Sequence, residues 1–182
     1  MTEWTQRAHV LADHAVSGVL GHVSSLHFDT MSELLWVGSA SGQLTSHTGA
    51  LPTLPRYTSL AAHGVPKQPK HVRGILSDDK FIISLSEGRV CASQRQGLGR
   101  WSMQIEDHAP GVALAGLCAS PQSASSDIIV GGAAPNSHDA LFALHSTSGR
   151  IVRSAVSDGT VTQLRKGSRY LCVGTEQGTI QL

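Results

Sequence analysis

The sequence predicts an all-β fold, an incomplete WD40-type β-propeller of about three and a half blades from a ring of seven. Three observations predict it. First, one hairpin pattern recurs four times: a short apolar run, a small residue, a tight turn and a return strand. Second, the small residues that close the runs, Gly38, Ser84, Gly131 and Gly174, stand roughly 43 to 47 residues apart. A propeller blade of four strands takes about 40–45 residues. Third, 19 glycines and few helix-favouring runs suit many short strands joined by turns.

Residues 1–21 are expected to form an N-terminal arm, and residues 22–182 the partial propeller, with blades at about 22–63, 71–105, 111–155 and 160–182. In the arm, Trp4, Val10, Leu11, Val16, Val19 and Leu20 follow no helical or strand period. Its expected role is an outer strand for the last blade. Blade one opens with Val23 to Phe28, where Leu26 and Phe28 alternate, as the innermost strand. Leu34 to Val37, Gln43 to His47 and Arg56 to Ala62 follow. Thr48 to Pro55 carries two prolines, which exclude it from a central strand. His63 to Lys70, with prolines and lysines, is a connector.

Blade two reads as Val72 to Leu76, Lys80 to Leu85, Arg89 to Ser93 and Arg100 to Gln104, with Trp101 as a large outer-strand anchor. Gly97-Leu-Gly99 is a turn, without the helix a dinucleotide fingerprint requires. Blade three reads as Val112 to Cys118, Ile128 to Gly131, Ala140 to Leu144 and Gly149 to Arg153. Its Pro121 to Ser126 segment is a low-complexity loop. Blade four has Val161 to Leu164, Arg169 to Val173 and Thr179 to Leu182, without an outer strand. A ring of seven needs on the order of 300 residues. Nothing in Val161 to Leu182 looks polar enough to cap an array of repeats. The chain is therefore expected to be part of a larger propeller, with apolar faces exposed at both ends. A complete four-bladed ring closed by the arm is the alternative.

Composition excludes several classes. Charged residues are 15% of the chain and net charge is +1, against the strongly basic balance of a nucleic-acid binder. No apolar run reaches the ~18 residues of a membrane span, and no apolar signal segment opens the chain. A soluble, intracellular protein without a membrane partner is expected. Cys91, Cys118 and Cys172 are an odd number without short spacing, which argues against a disulfide framework or zinc site and for small buried thiols.

Ten histidines raise a metal hypothesis. The pairs His9/His14 and His22/His27 have zinc-finger spacing but lack the preceding cysteine pair, and no HExxH occurs. Loop or surface histidines are the expectation. There is no GxSxG elbow and no Walker loop. Glu33, Asp78, Asp79, Glu87, Glu106, Asp107 and Asp158 fall in turns, where solvated strand-ending residues are the simpler reading. A site in the central channel would need polar inner-strand ends, and Val23, Val72, Val112 and Val161 stand there instead. No catalytic, cofactor-binding or metal-ligating residue is assigned. Lys67, Lys70 and Arg73, with Arg89, Arg95 and Arg100 nearby, could form a modest phosphate patch; a solvated propeller rim is the competing reading.

Several segments together carry a family resemblance. Phe28-Asp-Thr-Met-Ser-Glu-Leu-Leu-Trp-Val-Gly38, Arg56-Tyr-Thr-Ser59, Ile83-Ser-Leu-Ser86 and Arg169-Tyr-Leu-Cys-Val-Gly-Thr175 resemble the N-terminal WD40 propeller of the catalytic subunit of the PAN poly(A)-nuclease deadenylation complex, in its fungal form. The resemblance spans about Val23 to Leu182 and the first half of that propeller. It implies a non-catalytic scaffold in mRNA poly(A)-tail shortening and cytoplasmic mRNA decay, including P-bodies. The implied partners are the regulatory subunit of the PAN complex and, indirectly, poly(A)-binding protein on its poly(A) ribonucleoprotein. The family's nuclease domain uses divalent metal; none of its acids has a counterpart here, so no cofactor is implied for this chain. An unrelated WD-repeat interaction scaffold is the alternative, because a propeller does not fix function.

Overall fold

A computed structural model describes residues 22–48, 56–61, 71–86, 88–95, 99–108, 113–119, 127–133, 139–167 and 169–181; at 48, 56–61, 99–100, 106, 139 and 181 only the backbone is considered. The arm at 1–21 and the connector at 62–70 lie outside these residues. The described chain forms β1 (Val23–Asp29), β2 (Leu34–Ser39), β3 (Gln43–Thr48), β4 (Arg56–Ala61), β5 (Gly74–Ser77), β6 (Phe81–Leu85), β7 (Arg89–Gln94) and β8 (Gly99–Gln104). One 3-10 turn, Ile105–Asp107, separates these from β9 (Ala113–Ala119), β10 (Asp127–Ala133), β11 (Asp139–His145), β12 (Ile151–Val156), β13 (Val161–Lys166), β14 (Leu171–Thr175) and β15 (Ile180–Gln181).

Each run of consecutive strands makes its own antiparallel sheet. The orders are β1-β2-β3-β4, β5-β6-β7-β8, β9-β10-β11-β12 and β13-β14-β15. Sheets of adjacent hairpins, with the first strands β1, β5, β9 and β13 neighbouring one another in turn, are the architecture of propeller blades. The small residue that ends each apolar run sits in the second strand, at the same place in the ladder: Gly38 faces Ser25, Ser84 faces Ile75, Gly131 faces Gly116 and Gly174 faces Gln163.

Three apolar clusters lie in the three gaps between blades. Leu34, Trp36 and Leu44 of blade one meet Ile82 of blade two, with Ile75 beside them. Phe81, Ile83 and Leu85 point the other way, to Leu114, Ile128, Val130 and Phe142 of blade three. Ile129 of blade three then turns to Val161, Leu164 and Val173 of blade four. Side chains alternate faces along a strand. A strand covered on both faces therefore needs an unbroken apolar run, which is why Phe81-Ile-Ile and Ile128-Ile-Val do not alternate with polar residues.

Three strands begin two residues later than expected: Val72 and Arg73 precede β5, which begins at Gly74; β12 runs Ile151–Val156 and not Gly149 to Arg153; and β14 begins at Leu171, past Arg169. The expectation that Val161 to Leu182 lacks a polar face also needs correction. Thr162, Gln163, Arg165 and Lys166 are exposed along β13, leaving Tyr170 and Ile180 as the large exposed apolar residues of that sheet.

Candidate interaction surfaces at the blade joints

The joint between blades one and two is a glycine notch filled by a valine. A Cβ placed on Gly38 would stand 2.3 Å from Ser25 Oγ of its own sheet, a side chain free to rotate, and 2.6 and 2.7 Å from Val72 Cγ1 and Cβ of the next blade. Polar bonds fix the fit. The Val72 N–H donates to the Ser39 carbonyl at 3.1 Å. Ser24 Oγ donates to the Gly38 carbonyl at 3.2 Å and to the Val72 carbonyl at 2.7 Å. Val72 is fully buried although no strand contains it. Between blades three and four the device recurs: a Cβ on Gly131 would meet Val161 Cγ1 at 3.0 Å, and one on Gly116 would meet Leu164 Cγ at 2.8 Å.

At the other end of the β1–β2 ladder from the first notch lies an ion pair whose carboxylate is buried. Asp29 ends β1 and is buried. Its carboxylate accepts bonds from Arg95 Nη1 and Ser32 Oγ, and from the Met31 N–H at 3.1 Å. Arg95, just past β7, also donates to the Asp78 carbonyl and to Ser32 Oγ. Asp78 in turn receives the N–H groups of Lys80 and Phe81 on its side chain at 2.7 and 2.6 Å. One guanidinium, on the turn that follows β7, thus ties the β1–β2 turn of blade one to the β5–β6 turn of blade two. His27 adds a further bond, Nε2 to Ser77 Oγ at 2.7 Å. Burial, and after it the Arg95 charge, hold the His27 pKa below its ordinary 6.5.

Blades two and three are joined by Trp101. Its Nε1 donates to the Ser146 carbonyl at 2.7 Å, and its ring lies over Gly149. Gly149 has φ +70°, a conformation that L residues disfavour, and a Cβ there would stand 2.4 Å from the ring. The sequence marks Trp101 as an outer-strand anchor; the structure adds that it anchors the neighbouring blade.

Of the basic residues singled out in the sequence, Lys67 and Lys70 lie outside the described residues, and Arg73 is exposed. Arg95 turns inward to Asp29, and Arg89 donates from Nε to Gln104 Oε1 at 2.8 Å. Arg95 is therefore not offered to phosphate. The expectation of loop or surface histidines fails at two positions: His27 bridges two blades, and His47 is buried in β3, 3.0 Å from Thr45 Oγ1. Among the described residues no three His, Cys, Asp or Glu side chains are grouped to hold a metal ion. The three cysteines are free. Burial raises the Cys91 pKa and pushes that of Cys118 up to about 11, so both thiols stay protonated and unreactive at neutral pH.

Large apolar residues are also exposed on the first and last described sheets. Val23, Leu26, Phe28 and Met31 are exposed on blade one, and Tyr170 and Ile180 on blade four. The outer strand β12 also exposes Val152 and Val156.

Comparison with known proteins supplies the context. Residues 8–182 match the sequence model of a family described as PAN2 N-terminal. The PAN2-PAN3 deadenylation complex catalytic subunit pan2 of Aspergillus oryzae is 37% identical over 158 residues, which is 86% of this chain and 12% of that protein. The corresponding subunit of Phaeosphaeria nodorum is 30% identical over 161 residues, covering 88% of this chain and 13% of its own length. The chain thus spans about an eighth of the curated relatives it matches. Among solved structures, the Neurospora crassa Pan2 WD40 domain aligns with TM-score 0.70 and 26% identity over 89% of this chain and 49% of that one. The computationally designed Ika4 protein aligns with TM-score 0.66 and 16% identity over 91% and 92%, a likeness of fold alone.

Proposed function

The chain belongs to the PAN2 N-terminal family, and on that premise we propose that it is a non-catalytic propeller scaffold of a poly(A)-specific deadenylase subunit, acting in mRNA poly(A)-tail shortening and cytoplasmic mRNA decay. The observation that carries this reading is the match over 8–182 combined with a sheet array like the Pan2 WD40 domain. The relatives are named as catalytic subunits, yet this chain corresponds to only 12% of the Aspergillus oryzae protein. We assign it binding rather than phosphodiester chemistry. Its proposed partner is the regulatory subunit that the PAN2-PAN3 name implies, with poly(A)-binding protein engaged indirectly on the poly(A) ribonucleoprotein. The proposed location is the cytoplasm, including P-bodies. No cofactor is assigned to this chain, and Lys67, Lys70 and Arg73 remain the proposed phosphate-facing patch.

Pull-down with purified regulatory subunit and purified poly(A)-binding protein tests the reading. Retention of the regulatory subunit by the tagged protein is the expected result. Failure to retain either protein contradicts it. The patch is tested separately: binding to poly(A) should weaken steeply with salt and be lost in Lys70→Glu/Arg73→Glu. Salt-insensitive binding, or binding unchanged in that variant, removes the patch from the proposal.

A further inference from the structure

We propose that Ser32 is a phosphorylation site for an acid-directed serine kinase, and that a phosphate there draws Arg95 from Asp29 and loosens the joint between blades one and two. Both sheets of this joint have all four strands. The site therefore depends neither on where the sequence begins or stops nor on the deadenylase reading.

Ser32 lies exposed in the β1–β2 turn, where the clamp between the blades converges. Its Oγ donates to the buried Asp29 carboxylate and accepts from Arg95 Nη1 at 3.0 Å. Arg95 Nη2 reaches across to the Asp78 carbonyl of blade two. Arg95 Nε is buried and has no partner among the described residues. The guanidinium beside Ser32 thus keeps one N–H donor unspent, which an anion can take. The local sequence suits a kinase that reads acids: Asp29 stands three residues before Ser32 and Glu33 directly after, with no basic residue from Asp29 to Glu33. Glu33 has φ +52°, a left-handed conformation that L residues disfavour. A turn kept in such a conformation by its contacts opens when they are withdrawn.

The step transfers the terminal phosphoryl group of ATP. The Ser32 Oγ–H bond breaks and the kinase's base takes the proton, while an Oγ–P bond forms as the P–O bond to the leaving ADP breaks. The added group carries about −1.5 to −2 charge at neutral pH. Oγ then has no proton to donate to Asp29, and the new oxygens compete for Arg95. Asp29 turns Arg95 away from a phosphate in solution, whereas a phosphate carried on Ser32 is delivered against it. The Asp29 carboxylate, 1% exposed, is left facing a second anion with only a share of one cation. A buried carboxylate tolerates this poorly, and the bridge to blade two slackens with it.

Two measurements on the 182-residue chain test this. Incubation with ATP and a casein kinase that reads an acid three positions before its serine, followed by mass spectrometry, should place one phosphate on Ser32 and none in Ser32→Ala. No phosphate in this turn, or phosphate on Thr30 instead, overturns the site. Thermal midpoints read the clamp. Ser32→Asp should lower the midpoint by about 2–4 °C more than Ser32→Ala, because it adds a charge against Asp29 besides losing the hydroxyl. Asp29→Asn/Ser32→Asp should recover part of that loss, since the new carboxylate then has Arg95 to itself. Equal midpoints for Ser32→Asp and Ser32→Ala, or a raised midpoint in Ser32→Asp, contradict the loosening. A double variant that folds but is no more stable than Ser32→Asp overturns the competition for Arg95.

Discussion

Gly38 and Gly174 occupy the same place in the second strand of corresponding hairpins, held by matching hydrogen bonds, yet one is packed against Val72 of the next blade and the other, among the described residues, meets only its own sheet. The difference teaches that a blade builds its notch from local sequence, whereas the filling comes from whatever follows in space. Stability should divide the same way, with a larger share at the filled joint around Gly38 than at Gly174.

The largest expected loss is at the ion pair of Asp29 with Arg95, between the same two blades. Arg95→Met strands the Asp29 carboxylate, 1% exposed, without its cation, and removing one member of a buried pair costs about 3 kcal/mol or more. Urea unfolding measures it, and a loss below about 1 kcal/mol would put the bridge on a par with surface pairs. Next comes Trp101→Ala, which opens the joint between blades two and three and removes the bond to the Ser146 carbonyl; about 3 kcal/mol is expected. The two glycines give the sharpest contrast. Gly38→Ala forces a methyl against Val72 and should destabilise by about 1–3 kcal/mol, while Gly174→Ala should be neutral or stabilise by about 0.5 kcal/mol, since glycine weakens a strand. Equal effects at both sites would erase the distinction.

The smallest effect is a pH dependence. The folded-state pKa of His27 lies below 6.5, so the unfolded chain binds the extra proton first as pH falls. The contribution is complete above pH 6.5 and is lost as pH drops through that value towards the folded pKa. Arg95, Asp29 and Asp78 are the charged groups of this network, and Ser77 is the bonded partner. Denaturation curves at neutral and mildly acidic pH should differ less for His27→Gln than for the parent chain; identical slopes would remove His27 from the joint.

The blades themselves were legible because their marks are local: a glycine or serine at the end of each apolar run, and runs such as Phe81-Ile-Ile that read as covered on both faces. The joints were not. Arg95 and Asp29 are 66 residues apart, Trp101 and Ser146 are 45 apart, and neither pair leaves a periodic trace. Val72 read as the start of a strand because a β-branched residue before an apolar run fits one, although its task is to fill a notch in the preceding blade. His27 and His47 read as surface residues because a lone polar side chain says nothing of the neighbour that will satisfy it. The polar positions of β13 were visible as letters, but which of them would face outward depends on the register shift between Val161 and Gln163.

A double-mutant cycle pairing Gly38→Ala with Val72→Gly tests the central claim, that blades lock by a side chain seated in a glycine notch. Val72→Gly removes both Val72 atoms that crowd a methyl at position 38. The pair together should be less destabilised than the sum of the single substitutions, with a coupling of about 1 kcal/mol or more. Additivity within about 0.5 kcal/mol would contradict the joint.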